Sequence, residues 1–388
     1  MWMNPQIKLW ESGIMNNINN RKKRIFFCLV LLAVLLLTGC SGLSVNEEKQ
    51  TVDGTLQVHY IDVGQGDSIL LMQGEHSMLI DAGDNSCGTR VQSYLQANNI
   101  STLDYVIGTH PDSDHIGGLD VIIYKFDCDH IFMPDCSKDT KTYEDVISSA
   151  KEKSYQITAP VAGDTFLLGE AQVTVLSPAS DDDYGQDANN NSIAVKVTFG
   201  ENSFLFTGDC EEEAENRMLQ RGYDLSADVM KAGHHGSDTS NTREFLEAVS
   251  PQYFVISCGE ENEYGHPRAE VLNNLRQLGI QVYRTDEQGT IVAVSDGKDI
   301  TWNTQSSESW QSGEQSGSSQ SVEAESSSGS DGSESEETTY ILNTNTMKIH
   351  RIGCSSIDDM SEKNKEETNK TVEELKAEGY EPCKRCNP

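Results

Sequence analysis

Basic residues are scarce in this chain: 29 Lys and Arg face 62 Asp and Glu over 388 residues, a formal net charge of -33 at pH 7. So acidic a surface repels polyphosphate backbones, which excludes generic, high-affinity nucleic-acid binding unless metal ions or a local basic patch intervene. Regularly spaced cysteine is also lacking. Cys87, Cys128, Cys136, Cys210 and Cys258 follow no pattern, and an odd number of thiols cannot all pair. A disulfide framework is not indicated; most are expected as buried thiols, with Cys128 and Cys136 alone near enough in sequence to suggest a local bridge. Apolar residues almost vanish over 304–338, where Ser, Gly and Glu dominate and eight acidic residues meet no basic one. That composition cannot bury a core and reads as a disordered, extended linker.

A membrane-length hydrophobic run is missing as well, since Ile25 to Leu37 is too short to span comfortably. It is preceded by Arg21-Lys22-Lys23-Arg24 and followed by Gly39-Cys40. A charged segment, a short apolar segment and a small-residue cleavage site resemble a bacterial lipoprotein signal over 1–39. The resemblance implies that Cys40 becomes the lipidated first residue and that the protein is held at the extracytoplasmic face of the cell membrane. The alternative is an uncleaved anchor helix. Met15 reads as a better start than Met1, and 40–54 is a polar spacer.

What is present is concentrated in Thr109-His110-Pro111-Asp112-Ser113-Asp114-His115-Ile116-Gly117-Gly118, directly after the apolar run Leu103 to Gly108. A buried strand ending in such a loop delivers N and O ligands to one point, as a divalent cation requires. Asp209 follows Phe204-Leu205-Phe206-Thr207-Gly208, and His234 and His235 follow Val229-Met230-Lys231-Ala232-Gly233. Strand ends converging on one pocket are how layered α/β folds build sites, so a metal centre outweighs a decorative polar turn.

Periodicity places strands at Leu56 to Val63, Ser68 to Met72 and His76 to Ile80, an antiparallel meander, then a helix over Gly88 to Asn98. Further helices are expected over Gly117 to Lys125, 141–153, Glu211 to Arg221, Thr242 to Val249 and Arg268 to Leu278. Strands are expected in a hairpin around Gly169, at Ile193 to Phe199 and Ser203 to Thr207, at Asp228 to Lys231, at Tyr253 to Ser257, and near Gln281 to Arg284 and Thr290 to Val294. The fold class is α/β: two face-to-face sheets with helices outside over 55–303, and a separate small module over 339–388.

With the His110 to Gly118 motif, the opening Tyr60-Ile61-Asp62-Val63-Gly64-Gln65-Gly66-Asp67-Ser68 and Lys231-Ala232-Gly233-His234-His235-Gly236-Ser237, the main domain resembles the metallo-β-lactamase fold, specifically the hydrolase domain of ComEC-type competence proteins. The resemblance implies an αββα sandwich with one or two divalent ions, zinc or manganese. His110 and Asp112 fall in one subsite, Asp114 and His115 in the other, and Asp209 between them. His234 or His235 completes the second subsite, and the other faces substrate. Asp81 would orient a ligand imidazole. Asp112 stands where the wider family has a second His. The loop Asn189-Asn190-Asn191-Ser192 stands where it has a further ligand His, with Asn191 placed behind the ligands. An oxygen-richer first subsite suits manganese or magnesium better than zinc. The implied chemistry is hydrolysis by metal-activated water, with Asp114 able to accept the water's proton and His266 as a phosphate-facing group or a satisfied loop histidine.

The C-terminal module carries His350, Cys354, Cys383 and Cys386 in two short pairs, the spacing of a closed structural zinc site. Gly379-Tyr380-Glu381-Pro382-Cys383-Lys384-Arg385-Cys386 resembles the metal-binding module of Ada-type DNA repair proteins, with His350 replacing a Cys; a Cys383–Cys386 disulfide is the alternative. Together these features lead to a lipid-anchored phosphodiesterase acting on extracellular DNA. The rivals are a hydrolase of another phosphoester, such as cell-envelope phosphocholine or a cyclic nucleotide, and a non-catalytic lipoprotein that binds DNA or a partner.

Overall fold

The computed structural model describes residues 54–314 and, apart from 345, 352–353, 355–356, 358–359, 361, 369 and 378, residues 340–383. The expected signal, the lipid-bearing Cys40, residues 315–338 of the linker and Cys386 lie outside the described residues. Among the described residues no helix is long and apolar enough to cross a membrane.

The chain opens with β1 (Leu56–Tyr60), β2 (Ile69–Gln73), β3 (His76–Ile80), α1 (Gly88–Ala97), β4 (Thr102–Ile107), α2 (Ser113–Ile116), α3 (Leu119–Lys125), β5 (Asp127–Phe132), α4 (Lys141–Glu152) and β6 (Ile157–Thr158). It continues with β7 (Thr165–Leu168), β8 (Ala171–Ser177), β9 (Ala194–Phe199), β10 (Asn202–Phe206), α5 (Glu212–Arg221), β11 (Val229–Lys231), α6 (Arg243–Val249), β12 (Tyr253–Ile256), α7 (Ala269–Leu278), β13 (Gln281–Arg284), α8 (Thr285–Gln288), β14 (Ile291–Ser295) and β15 (Ile300–Trp302).

An eight-stranded sheet runs β15-β14-β1-β2-β3-β4-β5-β6, and a seven-stranded sheet runs β13-β12-β11-β10-β9-β8-β7. Side chains alternate across each strand. Ile69 and Leu71 of β2 therefore meet Phe204 and Phe206 of β10 in the core between the sheets. Leu70 joins Val91 and Leu95 of α1 and Leu119, Ile122 and Ile123 of α3 beneath the helices of the first sheet. Leu205 joins Phe245, Leu246, Val271 and Leu275 beneath those of the second. Because both faces are covered, the central strands read as unbroken apolar runs. The architecture is the expected α/β sandwich with helices outside.

The helix expected over Gly117 to Lys125 is present as Leu119–Lys125, and a further short helix, Ser113–Ile116, precedes it, with Gly117 and Gly118 between the two. A Cβ on Gly117 would stand 2.3 Å from the backbone of Asp84 and Asn85, so only glycine lets the loop end pack there. The expected boundary at 303 also falls short of the packed chain. Trp310 packs on the second outer core, with the Arg276 guanidinium 4.8 Å over its ring, and Gly313 N donates to Pro267 O at 3.0 Å. No bridge forms between Cys128 and Cys136; both are free and buried.

The C-terminal residues form β16 (Tyr340–Asn343), β17 (Lys348–Arg351), β18 (Lys365–Thr368), α9 (Val372–Ala377) and β19 (Glu381–Pro382). Their sheet runs β18-β16-β17-β19 and covers a small core of Leu342, Ile349 and Leu375.

Candidate metal centre

The C-terminal ends of parallel strands deliver the site. Asp81 follows β3, the His110 to His115 loop follows β4, Asp209 follows β10, and His234 and His235 follow β11 in a tight turn, Gly233–Gly236. Three of these residues hold left-handed backbone: Asp81 at φ 58°, His234 at φ 48° and His235 at φ 54°. Each such non-glycine position costs about 1 kcal/mol or more, and strain of this kind gathers where side chains must be aimed.

Hydrogen bonds set which imidazole nitrogen faces the centre. His115 Nδ1 donates to Asp81 Oδ2 at 2.8 Å, while the same carboxylate accepts from Thr109 N at 2.8 Å and Thr109 Oγ1 at 2.7 Å. His235 Nδ1 donates to Ser257 O at 3.0 Å. Each ring is thereby left with a bare Nε2 lone pair. The two Nε2 atoms stand 3.2 Å apart. Asp209 Oδ2 is 3.2 Å from His115 Nε2 and 3.6 Å from His235 Nε2, and Asp114 Oδ2 is 3.3 Å from His235 Nε2 and 4.0 Å from His115 Nε2.

Four acceptors around one point have no donor among themselves, so they fit a divalent cation of borderline or hard character. Two further atoms support that fit: His110 Nε2 and Asp209 Oδ1 are buried with no hydrogen-bond partner. Without a cation, protons take its place. Burial opposes charge on His115, but the carboxylates of Asp209 and Asp81 hold its imidazolium well above the usual range. The same contest, won by Asp209 and Asp67, pushes His235 up to about 9. Burial likewise opposes charge on Asp209, yet the imidazoles of His115, His235 and His234 hold its carboxyl well below the usual range.

Asp67, His115, Asp209 and His235 each place one ligand-type atom within 4.8 Å of the others. Asp67, however, approaches the rings from behind, with Oδ1 3.5 Å from His235 Nδ1 and Oδ2 3.9 Å from His115 Nδ1, and it pairs with the fully buried ammonium of Lys231. It braces the ligands, and Asp114 faces the Nε2 side. The Asp67 loop can sit this close because Gly66, at φ 133°, has no Cβ; one would stand 2.3 Å from Asp114 O.

A model of the metallo-beta-lactamase superfamily matches residues 61–260. The chain belongs to that superfamily. It is 33% identical over 253 residues to ComE operon protein 3 of Bacillus subtilis, covering 61% of this chain and 32% of that protein. It is 30% identical over 262 residues to competence protein ComA of Neisseria gonorrhoeae, covering 67% and 35%. Against recombination protein 2 of Haemophilus influenzae, identity is 28% over 248 residues, covering 63% and 29%. The chain thus spans about a third of the length of the curated relatives it matches.

Of the ligands this superfamily implies, the structure brings Asp114, His115, Asp209 and His235 together. Of the two adjacent histidines it is His235 whose Nε2 stands among these groups, 3.2 Å from His115 Nε2 and 3.3 Å from Asp114 Oδ2. His234 is a quarter exposed, with Nε2 3.7 Å from Asp209 Oδ2 and Nδ1 3.4 Å from Glu211 Oε1. His110 Nε2 lies 3.9 Å from Asp209 Oδ2. The Asp112 carboxylate is engaged by a lysine, its Oδ1 accepting from Lys138 Nζ at 2.8 Å. Asn191 does not stand behind the ligands: its amide donates to Asp187 O at 2.7 Å, while Asn190 caps α5, its Oδ1 accepting from Glu211 N and Ala214 N at 3.1 Å. His266 is buried beside the centre, its ring 5.5 Å from that of His234, and burial with the neighbouring charges of His235 and His234 pushes it down to about 2, which keeps it neutral.

Asp67, Lys231 and Lys138 were not expected at the site. Asp67 and Lys231 both belong to the motifs that carry the family resemblance, and a lysine ending a buried strand needs a counter-ion. In the C-terminal module, His350, Cys354 and Cys383 are buried with ligand atoms within 4.8 Å of one another.

Proposed function

We propose that the chain is a lipid-anchored, metal-dependent phosphodiesterase whose substrate is extracellular DNA. The carrying observation is the convergence of the two Nε2 lone pairs of His115 and His235 with the carboxylates of Asp114 and Asp209. These four residues would hold a divalent cation, which when bound would supply Lewis acidity towards water and offset charge on a phosphodiester.

The chain's own groups do the rest. Asp114 is partly exposed, and His235 and His115 hold it ionised against the cost of burial, so at neutral pH it offers a carboxylate that can accept a hydrogen bond from water beside the cation; the same partners make it a weak base, and proton transfer to it has to be driven by the acidity of that water. Asp81 and Ser257 O fix the ligand rings. His234, oriented by Glu211 and Thr239 and open to solvent, faces substrate. His266, buried and neutral, does not supply positive charge to a phosphate.

The curated relatives named for competence and recombination support a DNA substrate. The lipoprotein-like N-terminus supports anchoring at Cys40 on the extracytoplasmic face. The C-terminal cluster supports a structural zinc ion held by His350, Cys354, Cys383 and Cys386. The acidic composition favours a second reading, a smaller phosphoester substrate such as a phosphocholine or cyclic nucleotide.

The full chain in detergent, incubated with labelled single- and double-stranded DNA and bis(p-nitrophenyl) phosphate in Mn²⁺, Zn²⁺ or EDTA, separates these readings. Metal-dependent DNA cleavage lost in H115A and D209A is the expected result. Cleavage of the small diester alone selects the second reading. Retained DNA binding with no turnover in any metal makes the protein a binding lipoprotein and overturns both.

A further inference from the structure

Among the described residues, the first metal subsite differs from the second in one respect that no ligand motif shows: its carboxylate, Asp112, is already paired with a protein cation. Lys138, in the loop between β5 and α4, brings Nζ to 2.8 Å from Asp112 Oδ1, with the ammonium-bearing chain 37% exposed and the carboxylate side chain 19% exposed. Asn190 and Asn191, where the wider family has a ligand His, spend their amides on Asp187 and on the start of α5. His110 alone then aims an uncommitted, buried Nε2 into this subsite, with Asp209 shared from the other.

We propose that Lys138 sets how many cations the centre holds: by retaining Asp112 it supplies the positive charge of the first subsite, so that one cation is bound tightly at Asp114, His115, Asp209 and His235, and a second enters only in competition with Lys138. The reasoning is electrostatic and stoichiometric. A carboxylate engaged by an ammonium has to release it before it can ligate, and the ammonium repels an incoming dication at short range. One imidazole and one shared carboxylate are too few protein ligands for tight binding of a hard cation, which prefers a near-complete oxygen and nitrogen shell. The inference rests on the metal centre of the hydrolase reading but not on turnover.

The test uses the full chain in detergent, stripped with EDTA and titrated with Mn²⁺, with bound metal and its electron paramagnetic resonance spectrum as readouts. Mn²⁺ suits the oxygen and imidazole ligands, whereas the thiolates of the C-terminal cluster take it poorly. Wild type is expected to bind the first ion at least 100-fold more tightly than the second and to show an uncoupled spectrum at one equivalent. K138M should narrow that gap tenfold or more and give an exchange-coupled spectrum at two equivalents. K138R, which preserves the ion pair, should behave as wild type, and K138M/D112N should lose the second ion again. Two ions of similar affinity in wild type, or an unchanged gap in K138M, overturns the proposal. A narrowed gap in K138M with no hydrolysis by any variant supports it and removes the hydrolase reading.

Discussion

His115 and His235 lie 120 residues apart in the chain, yet their Nε2 atoms face each other across 3.2 Å. With both Nδ1 atoms donating elsewhere, to Asp81 and to Ser257 O, the facing atoms are two lone pairs that repel unless a cation or a proton stands between them. Such a contact is unfavourable on its own, and two strand ends from different sheets hold it in place.

Asp81 sets the first of those tautomers, so D81N should weaken metal binding by about 10–100-fold, the range typical of groups that orient a ligand imidazole. The amide cannot accept from Thr109 N, Thr109 Oγ1 and His115 Nδ1 together; its NH2 faces at least one of these donors. Competition with a chelating dye measures the loss, and unchanged affinity would show that His115 needs no orienting partner.

The buried pair of Asp67 and Lys231 predicts an asymmetric pattern of stability. K231M leaves the Asp67 carboxylate uncompensated inside the fold and should cost about 3–5 kcal/mol, whereas D67N/K231M should recover much of it, since replacing both partners of a buried pair is often close to neutral. Urea unfolding of the EDTA-treated proteins reads both, and equal losses in the single and double variants would contradict it.

Much of this architecture was legible in the residues. The sandwich followed from apolar runs such as Phe204-Leu205-Phe206, covered on both faces, and the centre from ligand residues placed at strand ends. The choice between His234 and His235 was not legible, because adjacent histidines share every flanking signal. It is made by the left-handed backbone at both residues and by Ser257 O, which arrives from β12. Strand β5 escaped notice because Asp127, Asp129 and His130 are exposed around buried Cys128 and Ile131, which breaks the expected alternation. The Lys138–Asp112 pair was hidden for a different reason: nothing local joins a loop lysine to a carboxylate 26 residues earlier.

Glu215 should make stability fall as the solution is taken from pH 4.5 to pH 7.5. Burial pushes its carboxyl up to about 7 from an ordinary 4.5, although Asn241 N and Thr242 N donate to it at 2.6 and 2.9 Å. The folded protein therefore binds a proton that the unfolded chain has released. That contribution is complete below pH 4.5 and is lost as pH rises through about 7, a change on the order of 3 kcal/mol. In E215Q the corresponding component should vanish, so the difference between the two unfolding free energies should shrink or grow with pH over this window. A constant difference would rule out titration of Glu215.

Trp310 carries the last prediction, because it tests where the folded domain ends. The segment after β15 crosses the second outer core: Arg284 Nη1 donates to Gln311 O at 2.6 Å, the Arg276 guanidinium covers the Trp310 ring, and Gly313 sits so tightly on His266 that a Cβ would stand 2.2 Å from the His266 carbonyl oxygen. A half-buried indole with a cation over its face contributes about 1–2 kcal/mol when both packing and the cation are counted. W310A should lower stability by that amount and raise hydrogen exchange in the loop around His266, while W310F should recover most of it. If residues 304–314 were only the start of a linker, W310A would unfold at the same urea concentration as wild type and leave the His266 loop equally protected.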